Sequence, residues 1–357
     1  MTTADWAERA LAALLGRVAV TEAEVGHRFP LFADPDGGRW TTTGRGSWTG
    51  GFWAGLLWLR ALHTGAEGDR AVASACTGRL ADWVPADTAT RGLILWYGTA
   101  LATGDARAAE LRERAGRTCL AAMDPRLGLV PWGSAFGGPR LLARVDGVPG
   151  MVPLLAAVGP EGAAAAGSHL DRHLDVCLHE GLLRPACRFE AETGWRACDD
   201  PPPGWSRGSA WLMLAVADAI HCLGADERKP RRLAAARQLA APWTVAGAPL
   251  VPAADAALPD GPSDTSAAAI AAVALLKLAR TAGPQATEFQ ARAVATLHHL
   301  AHAHLTGTGA GRPPGMLLNG CYDAARGTAV RHELVWGDFF LAFGLAALIG
   351  LVDVRAA

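Results

Sequence analysis

Ala267-Ala268-Ala269-Ile270-Ala271-Ala272-Val273-Ala274-Leu275-Leu276 is apolar on nearly every face of a helix. A helix without a polar stripe belongs where neighbours cover it on most sides. The run containing it extends from Thr265 to Ala282 and closes on Gly283-Pro284, a helix stop signal. A more polar run from Ala286 to His304 follows. Together they form one unit: a buried helix, a Gly turn and an outer helix.

The unit recurs along the chain. Trp53 to His63 closes at Thr64-Gly65 and precedes Asp69 to Trp83. Leu93 to Ala102 closes at Thr103-Gly104-Asp105 and precedes Ala106 to Ala122. Met151 to Val158 closes at Gly159-Pro160 and continues to about His179. Ser209 to Leu223 closes at Gly224 and precedes Asp226 to Ala240. Phe339 to Ile349 closes at Gly350 and supplies a sixth inner run, and Asp5 to Val25 supplies a sixth outer one. The outer runs are amphipathic, as Ala106-Arg107-Ala108-Ala109-Glu110-Leu111-Arg112-Glu113-Arg114 shows, and fit helices with one wet face. Six such hairpins predict an all-α fold, an (α/α)6 toroid forming one barrel domain over residues 1–357. An irregular α-solenoid and a two-domain helical protein are the competing arrangements.

The long segments before the inner runs are 26–48, 123–147, 180–206, 242–264 and 305–335. In a toroid they gather on one face, and segments of that length in a compact domain are usually functional. They account for much of the Gly 42 and Pro 22 of a 357-residue chain. Length alone, at about 150 residues per domain, would give roughly two domains; the repeat points to one.

Composition works mainly by exclusion. Half of the residues are hydrophobic and 19% are charged, which excludes a disordered chain. Lys+Arg 33 against Asp+Glu 34, with no basic tail or stripe, argues against a nucleic-acid partner. No uninterrupted apolar stretch approaches the roughly 18 residues of a membrane span. The opening Met1-Thr2-Thr3-Ala4-Asp5-Trp6-Ala7-Glu8-Arg9 lacks the layout of a secretory signal, so a cytoplasmic location is expected. Seven scattered cysteines without a Cys-x-x-Cys read as reduced thiols, not as a zinc site. His298 and His302 have i,i+4 spacing, but no zinc-protease pattern accompanies them, and no metal is expected there. Asp199-Asp200 reads as a solvated loop in preference to a magnesium-binding acidic pair, and no phosphate loop or dinucleotide fingerprint occurs.

Trp40, Trp48, Trp53, Trp132, Trp195, Trp205, Trp211 and Trp336 fall in the long segments or at inner-helix starts. Aromatic side chains on a cleft face stack on sugar rings or other flat ligands. For any single Trp, a core plug between helices is the stronger reading; the clustering at one end is what carries weight. Arg207 lies in Trp205-Ser206-Arg207-Gly208-Ser209-Ala210-Trp211, on the first turn of the fourth inner helix. There it would either hold a substrate carboxylate or form an ion pair with Glu190, Glu192, Asp199 or Asp200. Asp146, just before the third inner helix, has three readings. It is a desolvated acid/base, a helix N-cap, or a partner of Arg144. Asp264 and Asp338 read as caps of the fifth and sixth inner helices.

At these motifs the sequence resembles the unsaturated glucuronyl hydrolases, glycoside hydrolase family 88, from about Trp48 to Leu351. Trp48-Thr49-Gly50-Gly51-Phe52-Trp53-Ala54-Gly55 is similar to the family's Trp-Thr-x-Gly-Phe-x-x-Gly. Trp205 to Trp211 is similar to its Trp-Ala-Arg-Gly-Gln-Ala-Trp, and Ser263-Asp264-Thr265-Ser266-Ala267 to its Asp-Ser/Thr-Ser-Ala segment. Trp336-Gly337-Asp338-Phe339 is similar to its Trp-Gly-Asp-Tyr. Asp146 to Pro153 resembles the Asp-Gly-x-x-x-x-x-Pro of the related unsaturated rhamnogalacturonyl hydrolases.

The resemblance implies an (α/α)6 barrel without metal or cofactor, acting on an oligosaccharide or other small-molecule substrate. Family members hydrate the 4,5-double bond of a terminal unsaturated uronic acid. An Asp protonates C4 and assists water at C5; the hemiketal then opens and releases the remaining sugar. This route differs from that of ordinary two-carboxylate glycosidases. Asp146 matches this acid/base, and Trp48, Phe52, Trp205, Arg207 and Trp211 match sugar-pocket positions. Trp336 lies in the closing motif, and Thr90 and Arg91 occupy the segment where the family carries a second pocket acid.

That segment is where the chain departs from the family. The family's His-Asp-x-Gly-Phe is here Ala89-Thr90-Arg91-Gly92-Leu93, with Thr90 in place of the Asp. Ser209 replaces the Gln after Arg-Gly, and no His occurs at Pro185 to Cys187. Three functions follow from this mixture. The first is a divergent hydrolase of unsaturated uronyl sugars with Asp146 as general acid/base. The second is a repurposed barrel for cyclisation, isomerisation or elimination in a small-molecule biosynthetic pathway, in keeping with the Ala/Arg/Gly-rich composition of a high-GC bacterium. The third is a toroid that binds without catalysis.

Overall fold

Helix boundaries follow local capping chemistry. The computed structural model describes residues 2–179, 181–281, 283–309 and 311–357. Ala282, the expected end of the fifth inner run, and position 180, the expected start of a long loop, lie outside the described residues. Helix α1 (Thr3–Val25) opens on a capping box in which Thr2 and Asp5 satisfy each other's backbone N–H. Asp105 caps α4 (Ala106–Ala121) by accepting from Ala108 N at 2.8 Å. Gly65 closes α2 (Gly50–Thr64) at φ 66°, where a side chain would be strained, and returns its N–H to Ala61 O.

The remaining helices are α3 (Glu67–Gly78), α5 (Met151–Ala156), α6 (Pro160–Cys177), α7 (Ser206–Cys222), α8 (Lys229–Thr244), α9 (Thr265–Ala279), α10 (Ala286–His299) and α11 (Val335–Leu348). Helix α2, the segment 92–101, α5, α7, α9 and α11 contact one another in that order, and α11 returns to α2. These are the six inner members. Helices α1, α3, α4, α6, α8 and α10 pack outside them. The result is the expected (α/α)6 toroid.

The difference between inner and outer runs is visible in burial. All but the last residue of α9 is buried, Lys277 included, whereas α4 buries only Ala108, Leu111, Ala115, Gly116 and Cys119. Lys277 is accommodated by Asp218 of α7 and the main-chain oxygen of Ala357, at the inner-helix C-termini. Each fully buried Leu or Phe of this ring contributes about 1.5–3 kcal/mol.

The second inner member corrects the sequence reading. The expected run from Leu93 to Ala102 is a π-helical turn over Gly92–Trp96 followed by turns. The chain here is pressed between neighbours. A Cβ on Gly92 would overlap the backbone of Met151, and one on Gly51 would overlap the carbonyls of Leu93 and Ile94. The wider π turn accommodates these close approaches.

Among the described residues there are also nine short strands, eight of them in the long segments and one directly after α6. They are β1 (Phe29–Ala33), β2 (Trp40–Thr43), β3 (Leu142–Arg144), β4 (Leu178–His179), β5 (Leu182–Leu183), β6 (Ala186–Glu190), β7 (Gly194–Ala197), β8 (Gly320–Asp323) and β9 (Thr328–Leu334). They form antiparallel sheets in the orders β2-β1-β9-β8, β3-β6-β7 and β4-β5. Strands this short give no period long enough to read from sequence. They stiffen the segments that rim the inner-helix N-termini. Among the described residues no helix is long and apolar enough to cross a membrane.

Candidate active site

The N-termini of the inner helices converge on one aromatic and charged cluster. Strand β3 delivers Arg144, and the 3-10 turn Val145–Gly147 delivers Asp146. Arg144 Nε donates to Asp146 Oδ1 at 2.8 Å. No other protein hydrogen bond reaches Asp146 among the described residues, and its side chain keeps 16% of its surface exposed. The Arg144 guanidinium lies 4.7 Å from the Trp132 ring and 5.8 Å from the Trp205 ring. Trp132 and Trp205 therefore clamp the cation that holds the carboxylate.

The cap expectation for Asp146 is thereby corrected, because Gly150 occupies the cap position of α5. The expected pairing with Arg144 is present, so the carboxylate does not stand alone among apolar groups.

Thr90 and Arg91 lie beside this turn. Ala89 N donates to Trp132 O at 3.0 Å, and the Cβ of Ala89 packs against Gly147 so closely that a Gly147 side chain would not fit. The Thr90 hydroxyl is 2.9 Å from that of Thr88. Arg91 is buried, with Nε on Thr88 O and Nη1 on Val84 O. Its charge is directed into the backbone of its own loop.

Arg207 likewise turns inward. Its Nη1 meets Asp264 Oδ2 at 2.6 Å and Cys321 O, and its Nη2 meets Tyr322 O at 2.7 Å. Arg207 is 4% exposed and Asp264 0%, so the expected fork for a substrate carboxylate is already filled. The anticipated acidic partners are also corrected: Asp200 pairs with Arg326 on the surface, Glu190 with Arg188 and Arg196. Asp264 does cap α9, with Oδ1 accepting from Ser266 N and Oγ. It serves as cap and counter-ion together.

The aromatic residues divide into two layers. Trp48 and Trp205 are half-buried, and Trp48 Nε1 donates to Tyr322 Oη at 3.2 Å. Beneath them Phe52, Trp211 and Trp336 are fully buried. Trp336 is 4.8 Å from Trp48, and Phe52 stacks on Trp211 at 6.0 Å. The guanidinium of Arg207 links the layers, 5.2 Å from Trp205 and 5.6 Å from Trp336. Tyr322 is the residue that the sequence reading missed. Its only signal was rarity, as one of two tyrosines, set in a long segment.

Asp338 is not the cap of α11: Leu334, still in extended conformation, holds the cap position, and Asp338 lies four residues further on. It sits inside the helix, buried, with Oδ1 lacking a protein partner. Glu333 is adjacent and receives a two-pronged contact from Arg17 at 2.8 and 3.0 Å. Burial, then the Glu333 charge, pushes the Asp338 carboxyl well above its usual range. One arginine faces two carboxyls, and of the two its hydrogen bonds go to Glu333. His298 and His302 stack at 3.9 Å on the outer surface beside Trp6. Among the described residues, no group of three or more His, Cys, Asp or Glu is placed to hold a metal ion.

Fold and site together define a six-hairpin α/α barrel whose mouth offers a paired carboxylate between aromatic walls. No family model matches the chain, and no curated protein matches it. Solved structures do match. The unsaturated glucuronyl hydrolase of Bacillus sp. GL1 superposes with TM-score 0.81 at 22% identity, covering 96% of each chain. That of Streptococcus agalactiae gives 0.84 at 17% identity, covering 99% of this chain and 94% of its own. A third, an Asp-to-Asn variant of such an enzyme with dGlcA-Glc-Rha-Glc, gives 0.85 at 22%, covering 96% of each. The chain has the fold of the unsaturated glucuronyl hydrolases along almost its whole length.

Proposed function

We propose that the protein is a divergent hydrolase that hydrates the 4,5-double bond of an unsaturated uronyl sugar. The observation that carries the reading is Asp146, a partly exposed carboxylate held by Arg144 beside Trp132 and Trp205. In the reaction, the Asp146 carboxyl protonates C4 of the vinyl ether. The resulting carboxylate accepts a proton from the water that attacks C5, and the hemiketal opens to release the next sugar. One residue acts first as acid and then as base. Arg144 positions the carboxylate, and the half-buried Trp48, Trp205 and Tyr322 provide a stacking wall for the sugar. The likeness to sugar-bound relatives of this fold supports an oligosaccharide or small-molecule substrate.

This assignment differs from the family's two-aspartate arrangement. Thr90 brings no charge, and its hydroxyl is engaged by Thr88. The nearest formal charge to Asp146 is then Arg144, so the site stabilises a developing cation less well than a second carboxylate would. Slow turnover is the expected consequence.

The test is incubation of the purified protein with a panel of unsaturated uronyl disaccharides, following loss of the double bond's ultraviolet absorbance. Loss that disappears in Asp146→Asn supports the assignment. No loss above that control with any disaccharide overturns it in favour of a repurposed barrel catalysing cyclisation, isomerisation or elimination.

A further inference from the structure

Cys177 ends α6 and Cys187 lies in β6, and each thiol reaches the main chain beside the other. Cys187 Sγ is 3.2 Å from the carbonyl of Val176, the residue before Cys177. Cys177 Sγ is 3.8 Å from the carbonyl of Ala143, the cross-strand partner of Cys187. A hydrogen bond from Arg184 N to Cys177 O at 2.7 Å fixes the return of the chain between them. Both residues are buried, at 0% and 2% exposure. Only a small oxidant reaches such a pair.

We infer that Cys177 and Cys187 are a redox-modification site, a dithiol that closes to a disulfide on reaction with a small hydroperoxide, one strand behind the Arg144–Asp146 pair. The two thiols are electronically unequal. A hydrogen bond from Cys177, aided by the Arg184 charge, holds the Cys187 thiol below its usual range. The same contact, followed by burial, pushes Cys177 well above it. Cys187 is therefore the attacking thiolate.

The chemistry balances in two steps. The Cys187 thiolate attacks one oxygen of hydrogen peroxide; the S–O bond forms, the O–O bond breaks, and hydroxide leaves and takes up a proton as water. The Cys177 sulfur then attacks the Cys187 sulfenic acid; the S–S bond forms, the S–O bond breaks, and the hydroxyl leaves with the Cys177 proton as a second water. Two thiols are oxidised and one peroxide is reduced to two waters. An external dithiol reverses the change by exchange. Cys198 is the nearby bystander. It lies opposite Ala186 in the ladder, one residue out of register with Cys187, so its side chain leaves the other face of the sheet.

The experiment treats the folded protein with one to a few equivalents of hydrogen peroxide, unfolds it in an alkylating agent and maps the cysteines by mass spectrometry. A linked peptide pair joining Cys177 to Cys187 is expected, released by dithiothreitol. It should persist in Cys198→Ser and vanish in Cys187→Ser and in Cys177→Ser. The Cys198→Ser variant leaves the buried pair intact, so the inference does not depend on the folding of the other two. Full alkylation of Cys177 and Cys187 after peroxide treatment, a Cys187–Cys198 bridge, or Cys187 sulfinic acid without a bridge would each overturn it.

Discussion

Arg207 and Asp264 form a solvent-free ion pair, Nη1 to Oδ2 at 2.6 Å, that ties the N-terminus of α7 to that of α9. Each was legible in the sequence as a feature of its own helix, one as an anion holder and one as a cap. The partnership makes both structural. The guanidinium also carries the carbonyls of Cys321 and Tyr322, so a single side chain fixes the position of the tyrosine at the mouth.

Removing either partner leaves a buried charge without compensation. Asp264→Ala and Arg207→Met are each expected to destabilise the fold by about 3–5 kcal/mol. Arg207→Lys should recover little of this, because one ammonium on a flexible stem does not reproduce the guanidinium fork shared by the carboxylate and two carbonyls. Urea denaturation followed by tryptophan fluorescence measures the change. A loss below about 1 kcal/mol for Arg207→Met would show that the pair is not structural.

Asp146→Asn keeps the shape of the side chain and removes its proton chemistry. Turnover of an unsaturated uronyl substrate should fall by about 10²–10⁴-fold with little change in thermal midpoint. Arg144→Met is expected to lower kcat more than it raises KM, since Arg144 touches Asp146 and the Trp132 and Trp205 rings and acts by positioning. Steady-state kinetics of the two variants separate these effects.

The buried acids give a stability trend with pH. Burial raises Glu333 to about 7 against the pull of Arg17, and raises Asp338 well above its usual range. A carboxyl that binds its proton more tightly in the folded chain than in the unfolded one stabilises the fold at low pH. That contribution is lost as pH rises from the unfolded value towards the folded one. For Glu333 the window runs from about 4.5 to about 7. Arg17 and Glu24 are the other charges facing this cluster. Asp338→Asn removes one of the two carboxyls raised by burial, so its denaturation midpoint should fall less than that of the parent between pH 5 and 7.5. Parallel midpoints across that range would contradict a raised Asp338 carboxyl.

Gly51 is a packing requirement. A Cβ there would overlap the Leu93 and Ile94 carbonyls, which are backbone and cannot swing aside. Gly51→Ala, which would ordinarily favour a helix, is expected to destabilise by about 1–3 kcal/mol or more through overpacking. Gly68→Ala, with nothing near the added methyl in α3, is the matched control and should be neutral or stabilising. Thermal denaturation of the pair reads the contrast directly.

The sequence by itself determined the toroid. The information lies within each hairpin: an all-apolar run such as Ala267 to Leu276, a terminating Gly such as Gly65 or Gly224, and an amphipathic partner run. Burial on all sides or on one side follows from those residues alone. It also singled out Asp146, Trp48, Trp205 and Arg207 as candidate site residues. Only the tertiary structure decided their protein partners. Arg207 pairs with Asp264, and Asp146 with Arg144. Asp338 came to rest inside its helix beside Glu333, and Tyr322 beside Trp48. The second inner run became a π turn because Gly51 and Gly150 bring other backbone against it. The physical reason is range. Helix periodicity and capping are set within a few residues, whereas the partner of a buried charge is set by where distant segments close, which local sequence does not specify.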